Sequence, residues 1–277
     1  MKGKIGIVGL GYVGKAVESA FSEKYSIFSY DINQNCSEKS LESVIKKADI
    51  IFICVPTPMQ KDGSCFTDIL SSVVKEINDL NIYKDIVIKS TIPPLTSDYL
   101  QNENSNINII FNPEFMTEKN FYKDFMEQER IILAGKKLNK VKELYSVNFP
   151  KAEIITLPYK EAELIKYFSN TFLATKVSFA NEIYSLCNKL DIDYEKVVSA
   201  LILDKRIGNS HLAVPGPDGK LGFGGSCFPK DFAALIHIFK EHNVSSPILN
   251  AVWERNNTID RKEKDWKNLK GRAVVDD

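Results

Sequence analysis

Along the first 157 residues, apolar positions come in short unbroken runs, separated by stretches in which they recur every three or four positions. The runs at 4–8, 27–30, 49–55, 85–89, 107–111, 130–134 and 153–157 are rich in Ile, Val and Phe. Most are continuous rather than alternating, the pattern of strands covered on both faces. Between them, 13–24, 38–47 and 67–78 read as amphipathic helices. This alternation predicts an α/β fold built on a doubly wound, Rossmann-type parallel sheet.

After Pro158 the pattern changes. Residues 160–192 contain neither Gly nor Pro and predict one helix of roughly 30 residues, on the order of 45 Å long. Ile165, Phe168, Phe172, Phe179, Ile183, Leu186 and Leu190 fall at helical spacing on one apolar stripe. Such a stripe is expected to be buried against other helices or against a second copy of the chain. Further helices are expected at 194–203, 231–242 and 247–260, with a Gly/Pro-rich loop over 208–225. The expected domains are therefore 1–157, an all-helical central domain at 158–262, and a linker with the opening of another strand at 263–277.

Composition narrows the function classes. Lys+Arg and Asp+Glu are both 36, so the net charge is zero. No basic arm or aromatic–basic interleaving is present, which argues against a nucleic-acid partner. No apolar run reaches membrane-spanning length, and the first residues lack the features of a signal peptide. The five cysteines (36, 54, 65, 187 and 227) are scattered without metal-ligand spacing, so no metal and a reducing, cytoplasmic location are expected. Cys54, inside an apolar run, reads as a small hydrophobe.

The segment "GLGYVG" (Gly9 to Gly14) follows the first strand and opens a helix, the context that a dinucleotide fingerprint requires. Gly9 permits the tight turn, Gly11 lets backbone approach a pyrophosphate, and Gly14 lets helix and strand pack closely. Asp31 ends the second strand about 20 residues on, where a carboxylate accepts from ribose hydroxyls and repels a 2′-phosphate, favouring NAD over NADP. "CVPTP" and "KSTIPP" each end a strand, so the hydroxyls of Thr57, Ser90 and Thr91 are placed either to reach a ligand or to shape turns before proline.

Three further constellations bear on chemistry. "NPEFMTE" places Glu114 and Glu118 four apart. Glu163, Lys166 and Asn170 form one polar stripe on the long helix, facing either a cleft or solvent. In "GFGGSCFPKD" a glycine cluster precedes Cys227, with Lys230 and Asp231 three and four residues later. Such company suits a thiolate nucleophile.

Together "GLGYVG", "CVPTP", "KSTIPP", "NPEFMTE", "AELIKYFSNTFLA", "RIGNSH" and "GFGGSCFPKD" resemble, in order and spacing, the nucleotide-sugar dehydrogenases, the UDP-glucose/GDP-mannose dehydrogenase family, over residues 3–262. The resemblance implies NAD-dependent oxidation of a UDP-sugar CH₂OH to a carboxylate through a cysteine thiohemiacetal and thioester. Phe228-Pro-Lys-Asp231 is similar to members acting on UDP-glucose rather than UDP-N-acetylmannosamine. Implied catalytic residues are Cys227 as nucleophile, Lys166 and Asn170 on the developing oxyanion, Asp231 and Thr91 on a water, and Glu118 in thioester hydrolysis. The resemblance adds Tyr12, Val13, Val55, Pro56, Thr57, Thr91, Glu118 and Lys230 to the glycine turn and Asp31 as NAD contacts. Implied substrate contacts are Glu114, Phe115, Met116, Lys166, Asn170, His211, Gly224, Gly225 and Cys227, with Arg206 reaching across a homodimer formed by the long helix.

Two departures stand out. Thr117 occupies a position where the family usually has Arg. The family also continues past "LKGR" into a UDP-gripping domain, whereas this sequence stops at that threshold. An inactive or partner-dependent NAD-binding protein is thus the alternative reading. A single-step hydroxyacid dehydrogenase is a third, which Cys227 disfavours because one-step oxidation needs no covalent nucleophile.

Overall fold

The computed structural model describes residues 3–276 and divides into two compact units, 1–57 with 66–166, and 58–65 with 167–277. In the first unit the strands are β1 (Lys4–Val8), β2 (Ser26–Tyr30), β3 (Ile50–Ile53), β4 (Lys84–Ile88), β5 (Ile107–Phe111), β6 (Arg130–Gly135) and β7 (Glu153–Leu157). They form one sheet in the order β2-β1-β3-β4-β5-β6-β7. The helices between them are α1 (Tyr12–Phe21), α2 (Leu41–Lys47), α3 (Asp68–Asp79), α4 (Thr96–Glu103), α5 (Phe121–Met126) and α6 (Asn139–Asn148).

Alternation along each strand divides the core into two layers. Val8, Ile51, Ile53, Ile86, Ile88 and Phe111 face α2, α3 and α4 through Leu41, Leu70, Val74 and Leu100. Ile5, Ile7, Phe52, Val87 and Ile131 face α1, α5 and α6 through Val17, Phe21, Phe125 and Tyr145. The strand order reverses direction at β1, so the carboxyl ends of β1 and β3 frame the crevice where such sheets take ligands.

Two strands depart from the expected parallel sheet: β6 pairs antiparallel to β5, and β7 pairs parallel to β6, so both run against β1–β5. Residues 112–129 therefore stay at the edge where β5 ends, and the chain turns back along its neighbour. That keeps Glu114 and Glu118 at the carboxyl edge of the parallel strands.

The long helix α7 spans Tyr159–Lys189, 31 residues. Its first turns belong to the first unit, because Tyr159, Ala162 and Ile165 pack into that core. The first compact unit thus takes in the helix as far as Lys166.

The second unit contains the rest of α7, α8 (Tyr194–Leu201), α9 (Phe228–Glu241) and α10 (Pro247–Arg255). Phe223, Phe232 and Ala174 centre one of its cores. The segment expected to be a linker is packed instead: Trp266 and Ala273 are buried, and Met59 exchanges backbone hydrogen bonds with Ala273 and Val275. Of the apolar stripe of α7, Ile165 and Ile183 pack against cores within the chain. Phe168, Phe172 and Phe179 are exposed, as are Leu186 and Leu190.

Candidate active site

The glycine turn is built as its spacing predicts. Gly9 has φ +92°, and a Cβ there would lie 2.7 Å from the carbonyl oxygen of Cys54. A Cβ on Gly14 would collide with the Gly9 carbonyl oxygen, whereas one on Gly11 would meet nothing within 4 Å. The turn thus leaves open space at Gly11, the N-cap of α1, which has no side-chain cap. Tyr12 and Val13 open that helix. Asp31 follows β2, and its Oδ2 accepts from Leu10 N–H at 2.6 Å while Oδ1 accepts from Asn33 N–H at 2.7 Å. A carboxylate beside an uncapped helix N-terminus, with no Cβ at the approach, fits the ribose and pyrophosphate of a dinucleotide.

Val55, Pro56 and Thr57 follow β3, and Ser90 and Thr91 follow β4. The loops are tied to each other: Thr57 Oγ1 donates to Thr91 O at 2.7 Å and Ser90 Oγ donates to Val55 O at 2.6 Å. Both hydroxyls shape the turns, and all three residues are buried.

A buried charged cluster lies beside these loops. Lys166 Nζ is 2.9 Å from Glu114 Oε1, and Glu114 Oε2 accepts from Met116 N–H at 2.7 Å. Burial opposes ionisation of Glu114, but the Lys166 charge and hydrogen bond, the Met116 N–H and Lys89 outweigh it and hold its pKa below the ordinary value. The Phe115 ring meets two cations, Arg130 at 4.5 Å and Lys166 at 5.6 Å from its centroid. Lys89, Glu114, Phe115, Met116, Phe125 and Arg130 line a cavity of about 630 Å³. Glu118 stands half-buried in the turn before α5. Thr117, at the family's usual Arg position, donates to Asp124 Oδ2 from both N–H (2.8 Å) and Oγ1 (2.7 Å).

The polar stripe of α7 is not a solvated face. Glu163, Lys166 and Asn170 are 0%, 3% and 7% exposed. Glu163 accepts from the backbone N–H groups of Leu95 (2.8 Å) and Ser97 (2.7 Å), closing the entry to α4.

In the second unit, α9 begins at Phe228, three residues earlier than the periodicity suggests. Pro229 fits the first turn because its missing N–H would have no partner there. Cys227 is consequently the N-cap, and Lys230 and Asp231 stand in the first turn. Lys230 Nζ is 2.5 Å from Asp231 Oδ1, and Asn170 Nδ2 donates to Asp231 Oδ2 at 2.5 Å. Burial pulls the Lys230 pKa down, but Asp231 and then the sulfurs of Cys227 and Cys65 outweigh it, so the net direction is up. His211 adopts φ +63° and packs against Phe228 at 5.6 Å. Arg206 is exposed, its guanidinium on Asp204 at 2.6 Å. Among the described residues no cluster of His, Cys, Asp and Glu could hold a metal.

Sequence reasoning missed several buried polar residues here. Lys89 donates to Asn112 Oδ1 at 2.8 Å, and burial lowers its pKa to about 8. Asn181, Asn256 and Arg261 contact the glycine loop before Cys227. Lys89 opens "KSTIPP", a visible signal; the other three sit in no motif.

Residues 34–148 match the NAD binding domain of the UDP-glucose/GDP-mannose dehydrogenase family, and 160–258 match that family's central domain. A UDP-glucose 6-dehydrogenase of Rickettsia bellii is 39% identical over 222 residues, covering 76% of this chain and 50% of its own. UDP-glucose 6-dehydrogenase TuaD of Bacillus subtilis is 31% identical, covering 98% of this chain and 68% of its own. The structure of a UDP-glucose dehydrogenase from Pyrobaculum islandicum superposes with a TM-score of 0.82 at 29% identity, over 93% of this chain and 68% of that one. The chain thus spans between half and about two thirds of the length of these relatives.

Proposed function

We propose the following for this chain, which belongs to the UDP-glucose/GDP-mannose dehydrogenase family and takes NAD as its cofactor: it oxidises UDP-glucose to UDP-glucuronate through a covalent intermediate on Cys227. The observation that carries the reading is Cys227 at the N-terminus of α9, with the mostly buried Lys230 ammonium in the first turn of the same helix. A helix N-terminus and a cation both favour thiolate over thiol. A one-step alcohol oxidation has no use for that nucleophile. The curated relatives named UDP-glucose 6-dehydrogenase support glucose as the sugar.

Gly9, Gly11, Gly14, the first turn of α1 and Asp31 would hold NAD, which would supply the hydride acceptor, one molecule for alcohol to aldehyde and a second, after exchange, for thiohemiacetal to thioester. The Cys227 sulfur attacks the aldehyde carbon; a C–S bond forms and the carbonyl electron pair moves to oxygen, which takes a proton. Water later adds to the thioester, the C–S bond breaks, and the thiolate is restored as the carboxylate leaves. Holding the aldehyde covalently prevents its escape between the two oxidations.

Lys166 and Asn170, one turn apart on α7, present an ammonium and an amide, the donors suited to an oxygen that gains charge as its proton departs. Asp231 and Thr91 are assigned the water, and Glu118 a part in hydrolysis. Glu114 holds Lys166, while Phe115, Met116, His211, Gly224 and Gly225 contact the sugar nucleotide. The exposed Phe168, Phe172 and Phe179 of α7 suit a homodimer, across which Arg206 would reach the diphosphate.

The test is product analysis. With UDP-glucose and NAD, the parent chain releases UDP-glucuronate and Cys227→Ser releases none, because an alcohol attacks poorly and leaves slowly as an ester. Acid formation by the variant at the parent's rate would overturn the thioester route.

A further inference from the structure

Gly222, Phe223, Gly224 and Gly225 carry the chain to Cys227, with Gly222 and Gly225 at φ +65° and +73°. Left-handed backbone at two of four positions makes an intrinsically adaptable loop. Something outside the loop must select its conformation, and Asn181, Asn256 and Arg261 are among the side chains that touch it. Asn181 Oδ1, from α7, accepts from Gly222 N–H at 3.1 Å. Asn256 uses both ends of its amide on one residue: Oδ1 accepts from Phe223 N–H at 2.8 Å and Nδ2 donates to Phe223 O at 3.0 Å. Arg261 occupies the space that Gly224 leaves, since a Cβ on Gly224 would lie 2.5 Å from its Nη2 and 2.6 Å from its Cζ.

The last two are brought together by a helical irregularity. Residues Asn256–Asp260 form a π-turn, closed by Arg261 N–H donating to Asn256 O at 2.8 Å. Such turns insert one residue into a helix and recur at functional sites because they redirect side chains. Here Asn256 meets Phe223 and Arg261 meets Gly224. Both are fixed in turn: Asn256 is 0% exposed, and Arg261 is held by Asp265 at 3.0 and 2.8 Å and by Asp218 at 2.7 Å. Phe223 itself is buried and stacked on Phe232, 5.4 Å between centroids.

We propose that Asn256 and Arg261, set on the glycine loop by the π-turn, are positioning residues that present the Cys227 thiol at the N-terminus of α9. The inference rests on Cys227 being the nucleophile. Neither residue touches substrate in this account. Their effect reaches the chemistry through the loop, by keeping Cys227 where the helix N-terminus and Lys230 act on its sulfur.

The test uses thiol alkylation, which needs neither NAD nor sugar. The full chain is treated with iodoacetamide across pH 6–10, and labelling of the Cys227 and Cys36 peptides is followed by mass spectrometry. In the parent, Cys227 is labelled faster than Cys36 at neutral pH; equal rates would sink the nucleophile reading itself. Asn256→Asp keeps the acceptor for Phe223 N–H but opposes an oxygen to Phe223 O. Arg261→Lys keeps the cation but loses the planar fork that fills the Gly224 space. For both, the midpoint of the Cys227 profile moves up by about one unit, so labelling at pH 7 falls about tenfold, while the Cys36 profile is unchanged. Cys227 profiles that superimpose on the parent's in both folded variants would overturn the positioning role. If Asn256→Asp does not fold, Arg261→Lys decides alone, with its folding checked by thermal melting.

Discussion

Lys166 Nζ lies 2.9 Å from Glu114 Oε1, with only 3% and 9% of the two side chains exposed. Lys166→Ala strands a buried carboxylate and costs about 3–5 kcal/mol. Lys166→Met combined with Glu114→Gln costs less than Lys166→Ala alone, because no charge is left unpaired. Urea denaturation measures both. Turnover is lost in both, because the ammonium assigned to the oxyanion is gone. A double variant with full activity would reduce the pair to a structural role.

Glu163 gives the fold a pH dependence of defined sign. Burial, opposed by hydrogen bonds from Ser97 and Leu95, raises its pKa to about 7. In the unfolded chain it titrates near the ordinary glutamate value, about 4.3. Between these values the folded state holds more protons, so this site's contribution to stability falls as pH rises from about 4.3 to 7 and stays low above that. Glu163→Gln removes that component. Its melting temperature, measured across pH 5–8, declines less with rising pH than the parent's. Parallel curves would contradict the assignment.

Asp31 is expected to choose the cofactor. Asp31→Asn retains an acceptor for Leu10 N–H, so the turn persists while the charge at the ribose is lost. A charge-assisted hydrogen bond contributes about 1.5–3 kcal/mol, so NAD affinity falls roughly ten- to a hundredfold in a fluorescence titration. NADP, no longer repelled, loses much less. Equal losses for the two cofactors would remove Asp31 from the discrimination.

The stripe on α7 predicts an assembly. Phe168, Phe172 and Phe179 are 64%, 57% and 64% exposed, so more than half of the roughly 150–250 Å² that a fully buried aromatic covers is still open to a partner on each. Light scattering should give a dimer for the parent and a monomer for Phe172→Glu. A monomeric parent would remove both this interface and the reach assigned to Arg206.

Local pattern made much of the fold legible. All seven strands and α7 follow from runs and periods within the sequence, and the glycine turn and Asp31 from a spacing with one mechanical reading. Direction was not legible: whether β6 runs with or against β5 depends on where residues 112–129 travel. Periodicity likewise puts Glu163, Lys166 and Asn170 on one face but does not say what covers it. Pro229 hid the true start of α9, since proline ends most helices yet suits a first turn. Asn256 and Arg261 act on residues more than 30 positions away, and nothing in their neighbourhood marks them.

The count of NADH formed per UDP-glucose consumed tests the central claim most directly. Purified chain, NAD and a limiting amount of UDP-glucose are followed by absorbance to completion, with product identified by mass. Two NADH per sugar, with UDP-glucuronate as product, is the predicted result. One NADH per sugar with free aldehyde, or none while NAD still binds, would contradict oxidation through Cys227 by this chain.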